Sequence, residues 1–481
     1  MKLKTIAALA AAALLGVAAS TAQTPKTEFR GAWLHTIFQG QYKSQTTDQN
    51  KAYLISQLDS LKDAGVNAVL FQVRPQSDAL YADALEPWSR FLTDGGKAPE
   101  PFWDPLQFMI DQCHLRGMEL HAWLNPYRVT SNKRQTLPQS HIYHSHPERF
   151  IRYDGKLYFD PGQPENREFI GRVVDDIVAR YDVDGIHFDD YFYPYPVAGK
   201  EFADDDSYRR YGNGMSRDDW RRHNVDLLIE DLNSRIHAAK PWVRFGVSPF
   251  GIWRNKASDP RGSETNGLQN YDALYADVLL WEERGWIDYV LPQLYWELDH
   301  RAASTRVLLD WWNNNSGVNR HLYIGQDVNK CMSKGELGQK VAITRADSNI
   351  KGNCWWPGYS VTRNYMGVAD SLAATHQKHI ALVPSYPWLS ANRPAPVSNL
   401  RVGEGGLISW EAPAAEGTAD DANRFVVYRF DRLDAIDTEN AEAIVAVTPT
   451  CEYRAERPGV YVITSLSRVN NESEPSNPAL I

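Results

Sequence analysis

Short apolar runs alternate with amphipathic stretches over most of the chain. The runs fall at 29–36, 68–74, 119–127, 185–193, 244–250, 289–296, 321–327 and 353–359, and each reads as a β-strand. From the second to the seventh they are mostly apolar on both faces, the pattern of parallel strands buried from both sides. Between them, 53–64 carries Leu54, Leu58 and Leu61 on one helical stripe, and 168–181, 220–239 and 274–284 are further helical stretches. Eight strand–helix units predict an α/β fold, a (β/α)8 TIM barrel over 27–391. An open doubly wound sheet is the alternative.

The connections are asymmetric. Helix-to-strand links are short, as in Asp63-Ala-Gly-Val-Asn67 and Leu115-Arg-Gly-Met118. The strand-to-helix links at 74–104, 127–165, 193–218 and 251–272 are long and rich in aromatic and polar residues. Long loops on one face predict a binding face at the C-terminal ends of the strands. The pattern changes at Asn392-Arg-Pro-Ala-Pro396, after which short alternating strands follow at 400–402, 407–410, 424–430 and 460–467. With Trp410 early and Tyr461-Val462 late, residues 394–481 resemble a fibronectin type III domain, a small all-β immunoglobulin-like sandwich.

Residues 1–22 read as a cleaved signal peptide: Lys2 and Lys4, an apolar run over 6–19, then the small residues Ser20-Thr-Ala22. That run is short for a bilayer span, and no cysteine follows the cut to carry a lipid anchor. Export to the periplasm or beyond is expected, with no stable membrane span. The net charge is −9, and loss of Lys2 and Lys4 with no acid before Ala22 makes it −11. Such a balance argues against nucleic acid or anionic lipid as a partner and suits a neutral substrate. Four cysteines do not make a disulfide framework; for Cys331 and Cys354, near the last two strands, a bridge and two buried thiols are both open.

The densest chemistry lies in Asp184-Gly-Ile-His-Phe-Asp-Asp-Tyr-Phe-Tyr-Pro194, where the fourth strand ends in two adjacent carboxylates and an aromatic patch. Strand alternation puts His187, Asp189 and Tyr191 on one face and Asp190 on the other, which would give the two acids different environments and pKa values. The other strand ends are polar too: Gln72, Arg74 and then Asp78; His121, Trp123, Asn125 and Tyr127; Ser248; Gln293, Tyr295, Trp296 and Glu297; Gln326 and Asp327; Trp355 and Trp356. The chain holds 16 Trp and 24 Tyr, several of them just past strand ends, Trp253 among them, and flat rings beside carboxylates suit a sugar ring. No Gly-rich phosphate loop, dinucleotide fingerprint or Gly-X-Ser-X-Gly elbow is present in context. His141-Ile-Tyr-His-Ser-His146 lacks acids or cysteines at metal-site spacing and reads as a loop of surface histidines. No cofactor or catalytic metal is expected.

Phe29-Arg-Gly-Ala-Trp-Leu34, Phe71-Gln-Val-Arg-Pro75, Asp104-Pro-Leu-Gln-Phe108, His121-Ala-Trp-Leu-Asn-Pro-Tyr-Arg128, Asp160-Pro-Gly162, the Asp184 run, Phe245-Gly-Val-Ser-Pro249, Trp253-Arg-Asn255, Pro292-Gln-Leu-Tyr-Trp296 and Leu322-Tyr-Ile-Gly325 occur in that order. Together they resemble the glycosyl-hydrolase-like family 10 of exported bacterial proteins, over about 28–379. The resemblance implies a TIM barrel that hydrolyses glycosidic bonds in polysaccharides, with one branch directed at peptidoglycan glycan strands lacking stem peptides. Asp189 matches the fourth-strand nucleophile of the wider amylase-like barrels, and His187 their basic position. Their fifth-strand Glu has no counterpart here, which leaves Asp190, Glu297 or Asp78 as donor, or a substrate-assisted scheme if the sugar is N-acetylated.

The expectation is an exported, retaining-type glycoside hydrolase with Asp189, Asp190 and Glu297 as its acids. Arg74, Asp78, His121, Asn125, Tyr127, His187, Tyr191, Trp253, Gln293, Tyr295 and Trp296 are its expected substrate contacts. The rivals are a glycan- or cell-wall-binding protein on a decayed barrel and a structural envelope protein assembled through its sandwich. A self-contained barrel enzyme would keep cutting after removal of the sandwich.

Overall fold

The computed structural model describes residues 25–82, 85–317 and 319–481; the leader read at 1–22 lies outside them. Eight parallel strands close a barrel: β1 Phe29–Leu34, β2 Ala68–Arg74, β3 Glu119–Leu124, β4 Gly185–Phe188, β5 Arg244–Val247, β6 Tyr289–Val290, β7 His321–Asp327 and β8 Ile350–Trp356. Each pairs with the next in sequence, and β8 closes on β1 with Phe29 beside Gly352. Helices cover the outside, among them Thr47–Asp63, Pro105–Leu115, Pro164–Arg180, Arg217–Ala239 and Thr305–Asn315. The first starts at a reciprocal cap between Thr46 and Gln49 and buries Leu54, Leu58 and Leu61 against the strands.

Several strands end earlier than their apolar runs, for identifiable reasons. Asn125-Pro126 follows β3, Ser248-Pro249 follows β5 and Leu291-Pro292 follows β6, and proline has no N–H for the ladder. β4 stops at Phe188 because the Asp189 carboxylate takes the Tyr191 N–H at 3.0 Å, an Asx turn in place of sheet. β8 is displaced toward the N-terminus, and residues read as its end enter the helix Gly358–Thr362. The long loop after β3 folds a two-stranded ribbon, Phe150–Tyr153 against Lys156–Phe159.

The outward strand residues, such as Val69, Phe71, Leu120, Ile186 and Phe245, pack under the helices. The interior is aromatic and polar rather than aliphatic: Phe29, Trp33, Trp123, Tyr289 and Tyr323 cluster there, with Glu119, His121, His187 and Arg244 buried among them. Glycine makes room for these rings; a Cβ at Gly246 would lie 2.0 Å from the Tyr289 ring. Cys354 points into this interior while Cys331 lies under the helices, and both are buried free thiols.

After the barrel come two antiparallel sheets. One orders Ser398–Val402, Leu407–Glu411 and Glu452–Arg454; the other orders Ile444–Thr448, Ala422–Phe430, Val460–Ser467 and Ala479–Leu480. Ile408, Trp410, Phe425, Val427, Tyr461 and Ile463 pack in one core cluster between them. The four-stranded sheet also packs outward, with Val426, Tyr428 and Val462 around Leu382, which is hydrogen-bonded to Glu28 just before β1. Asn470 donates to Glu119 of β3 at 2.9 Å, and Arg424 reaches the same carboxylate at 3.2 Å. Gly117 in the turn before β3 lies so close that a Cβ would fall 2.4 Å from the Val447 carbonyl. The sheets thus close the N-terminal end of the barrel.

Candidate active site

The C-terminal strand ends surround a pocket of about 230 Å³ lined by Trp33, Trp123, Asp189, Asp190, Tyr191, Tyr195, Ser248, Gln293, Tyr295 and Trp356. Its lining comes from the ends of β1, β3 and β8 and the turns after β4, β5 and β6. The three tryptophans meet edge to face, Trp33 and Trp123 each about a ring's width from Trp356 at 6.5 and 6.1 Å, and Tyr295 closes the wall 6.4 Å from Trp33.

Both acids face this pocket. The alternation expected at 189 and 190 does not hold, because the Asx turn carries them out of the strand. Their surroundings still differ. Asp189 accepts three N–H bonds, from Trp123 Nε1, Asn125 Nδ2 and its own turn at Tyr191, each 3.0 Å. Asp190 accepts the Tyr195 hydroxyl and the Gln293 amide, the latter at 3.1 Å. Burial pushes both carboxyls up, Asp189 to about 6, and their mutual repulsion works in the same direction for Asp189. Arg128, stacked 4.6 Å over the Tyr191 ring, opposes the rise. Asp189 is held by three hydrogen-bond donors and Asp190 by two, so the two carboxyls are not equivalent, and together they retain a proton to higher pH than a lone carboxyl.

The pocket floor is built of acceptors. Gln293 spends both amide protons, on Asp190 and on the Ser248 carbonyl at 2.9 Å. The indole N–H groups of Trp33 and Trp123 are likewise committed, to His187 and Asp189. Hydroxyl and amide protons are what such a floor recognises.

Of the expected residues, the fold brings Asp189, Asp190, Tyr191, Gln293 and Tyr295 to this pocket. Asn125 and His187 stand behind it, Asn125 on Asp189 and His187 under Trp33 and Ser248. Glu297 is not brought to this pocket: past Pro292 the chain leaves strand geometry, and Glu297 pairs with Lys334 at 3.0 Å, outside the pocket lining. Glu297→Gln is therefore expected to keep turnover within about twofold of wild type in a reducing-end assay. Arg74 is buried in a bidentate pair with Glu86 at 2.6 Å that braces the loop after β2. His121 lies inside the barrel, bonded to Glu119 and Tyr289, and Tyr127 is buried in the core. Trp253 stacks on Trp311 at 5.6 Å, and Trp296 packs on Phe250. Asp78 borders a separate pocket with Trp88 and His141, and burial pushes its carboxyl up to about 6. His141 is buried against Ser77 at 2.8 Å rather than exposed. Trp33 is not among the expected site residues, though the parity of β1 points it inward. Among the described residues no cluster of three or more His, Cys, Asp or Glu is arranged for a metal ion, and no helix is long and apolar enough to cross a membrane.

Residues 28–340 match the model of the family described as glycosyl hydrolase-like 10. The chain is 37% identical over 475 residues to glycosyl hydrolase YngK of Bacillus subtilis, covering 93% of this chain and 92% of the relative. It is 41% identical over 331 residues to glycosyl hydrolase DigH of Escherichia coli K12, covering 64% of this chain and 74% of the relative. In fold it is similar to the PgaB (BpsB) glycoside hydrolase domain of Bordetella bronchiseptica, with a TM-score of 0.50 at 11% identity, covering 73% of this chain and 99% of that one.

Proposed function

This chain belongs to the glycosyl hydrolase-like 10 family, and from that premise we propose that it cleaves β-glycosidic bonds in a polysaccharide of N-acetylated sugars, peptidoglycan glycan strands without stem peptides being the leading case. The observation that carries the reading is the pair of buried carboxyls with separate hydrogen-bond partners in one aromatic pocket. Aromatic walls suit the C–H faces of pyranose rings, and the acceptor floor suits their hydroxyl and acetamide protons. Positive-start, apolar and small-residue segments over 1–22 support export to where such a polymer lies.

Asp190 is the general acid. It gives its proton to the leaving glycosidic oxygen as the bond from that oxygen to the anomeric carbon breaks. Asp189 has three of its four acceptor positions committed to N–H donors, one remaining on Oδ2, and is a poor nucleophile. It stays ionised, receives the substrate's amide N–H, and stabilises positive charge as the acetamide oxygen bonds to the anomeric carbon. Water then opens that ring, and its proton returns to Asp190. No acid from β5 or β6 reaches the pocket, where Ser248 and Gln293 stand instead.

Residues 23–481 incubated with peptide-free glycan strands should release new reducing ends. Activity should be greatest in acidic solution and decline as pH rises and the pair loses the proton that Asp190 must donate, at a pH raised above the ordinary carboxyl range by burial. Tight binding without release across that range would instead make the protein a glycan-binding one. Neither binding nor release would overturn the substrate class.

A further inference from the structure

A chain of buried hydrogen bonds runs along the barrel axis beneath the pocket. Its upper end is Trp33, whose indole N–H lies 3.2 Å from His187 Nε2. An indole can only donate, so His187 Nε2 carries no proton and its Nδ1 carries one. His187 is fully buried, and burial holds its imidazole well below its usual pKa and therefore neutral. Its Nδ1–H meets the Tyr289 hydroxyl oxygen at 3.0 Å, which must accept. Tyr289 then sends its own proton to His121 Nδ1 at 2.9 Å, and His121 Nε2–H donates to Glu119 at 3.0 Å.

The lower end enforces the same order. Burial alone would raise the Glu119 carboxyl, but Arg244, the His121 bond and then Arg424 of the sandwich hold it down at about 2. Glu119 is thus an acceptor only. With both histidines neutral, a donor-only group at one end and an acceptor-only group at the other leave one consistent arrangement of protons.

Ser248 is where this order reaches the pocket. Its hydroxyl lies 3.0 Å from His187 Nε2, an obligate acceptor, and 3.4 Å from the Phe188 carbonyl. The one lone pair of Nε2 is shared between the Trp33 indole and this hydroxyl, or the hydroxyl turns to the Phe188 carbonyl; turned to the cleft instead, Ser248 would set an oxygen lone pair against that of Nε2. We propose that the axial relay from Glu119 to His187 fixes Ser248 as an acceptor-only contact, making Ser248 a specificity-determining residue for a hydroxyl or amide proton of the sugar. The relay acts through Ser248, so His187 and Tyr289 are positioning residues. The substrate half rests on the glycan reading above; the proton order does not, and the two can fail separately.

The test starts on the free full-length chain with ¹⁵N-labelled histidine. His187 should be a neutral Nδ1–H tautomer and His121 a neutral Nε2–H tautomer, each assigned by its loss in a His→Gln variant. An Nε2–H tautomer or an imidazolium at His187 would overturn the relay. Ser248→Ala should leave both signals in place and raise KM for peptide-free glycan strands about tenfold, with kcat changed far less. An unchanged KM would overturn the contact. Tyr289→Phe, which cuts the chain at its middle while keeping the ring, should alter both histidine signals and raise KM as Ser248→Ala does. Unaltered signals in that variant would sink the coupling.

Discussion

Asp190→Asn is expected to lower turnover on glycan strands about a thousandfold, the contribution of a positioned proton donor. Asp189→Asn should do comparable damage for a different reason: an amide in its place turns an N–H toward Trp123 or Asn125 and carries no charge for the transition state. The pH profile separates the two roles. Asp190→Asn removes the group whose deprotonation ends activity as pH rises, so its residual rate should lose that decline. Thermal unfolding supplies the control. Carboxyls raised by burial favour the folded state while protonated, and that advantage is lost as pH rises from the unfolded value near 4 through about 6. Ionising both acids in one pocket therefore costs stability at neutral pH. Either Asn variant should melt at or above wild type at pH 8, and by less of a margin at pH 4. A variant that is inactive because it is unfolded would show the opposite.

Removal of the sandwich is expected to cost the barrel its fold, not its substrate. A chain ending at Ala391 should be insoluble or lack a cooperative melting transition. The reason lies at the barrel's N-terminal end. Glu119 and Asp184 are buried there; Arg244, the His121 bond and then Arg424 hold Glu119 ionised, and His114, then Arg424 and Arg244, hold Asp184 ionised. Taking away Arg424 and Asn470 leaves Glu119 short of two of its partners in a place water reaches poorly, while Leu382 and Val383 lose apolar cover. Arg424→Leu isolates the charge from the cover and should destabilise by on the order of 3 kcal/mol, measured by urea unfolding. A truncated chain that melts cooperatively and still cuts would show the barrel to be self-contained, as its sequence alone leads one to expect.

The barrel was legible in the sequence because burial on both faces leaves a repeating apolar signature, and strands β2 and β7 match their runs residue for residue. Asp189 and Asp190 stand out in the sequence as two adjacent acids at the end of an apolar strand, and the fold brings both to the pocket. Tertiary structure decided the rest. Strand parity failed at 189 and 190, and again past Pro292, because a side-chain turn and a proline end the ladder on which parity depends. Glu297 therefore left the site that Gln293 and Tyr295 joined. His121 and Arg74 carry the same polar signature as a substrate contact, and only the positions of Glu119, Tyr289 and Glu86 show that they serve the scaffold. A linear pattern records which side chains want partners. Which partner each receives depends on contacts between residues far apart in the chain, such as Glu119 with Arg424, and those exist only once the barrel has closed on its sandwich.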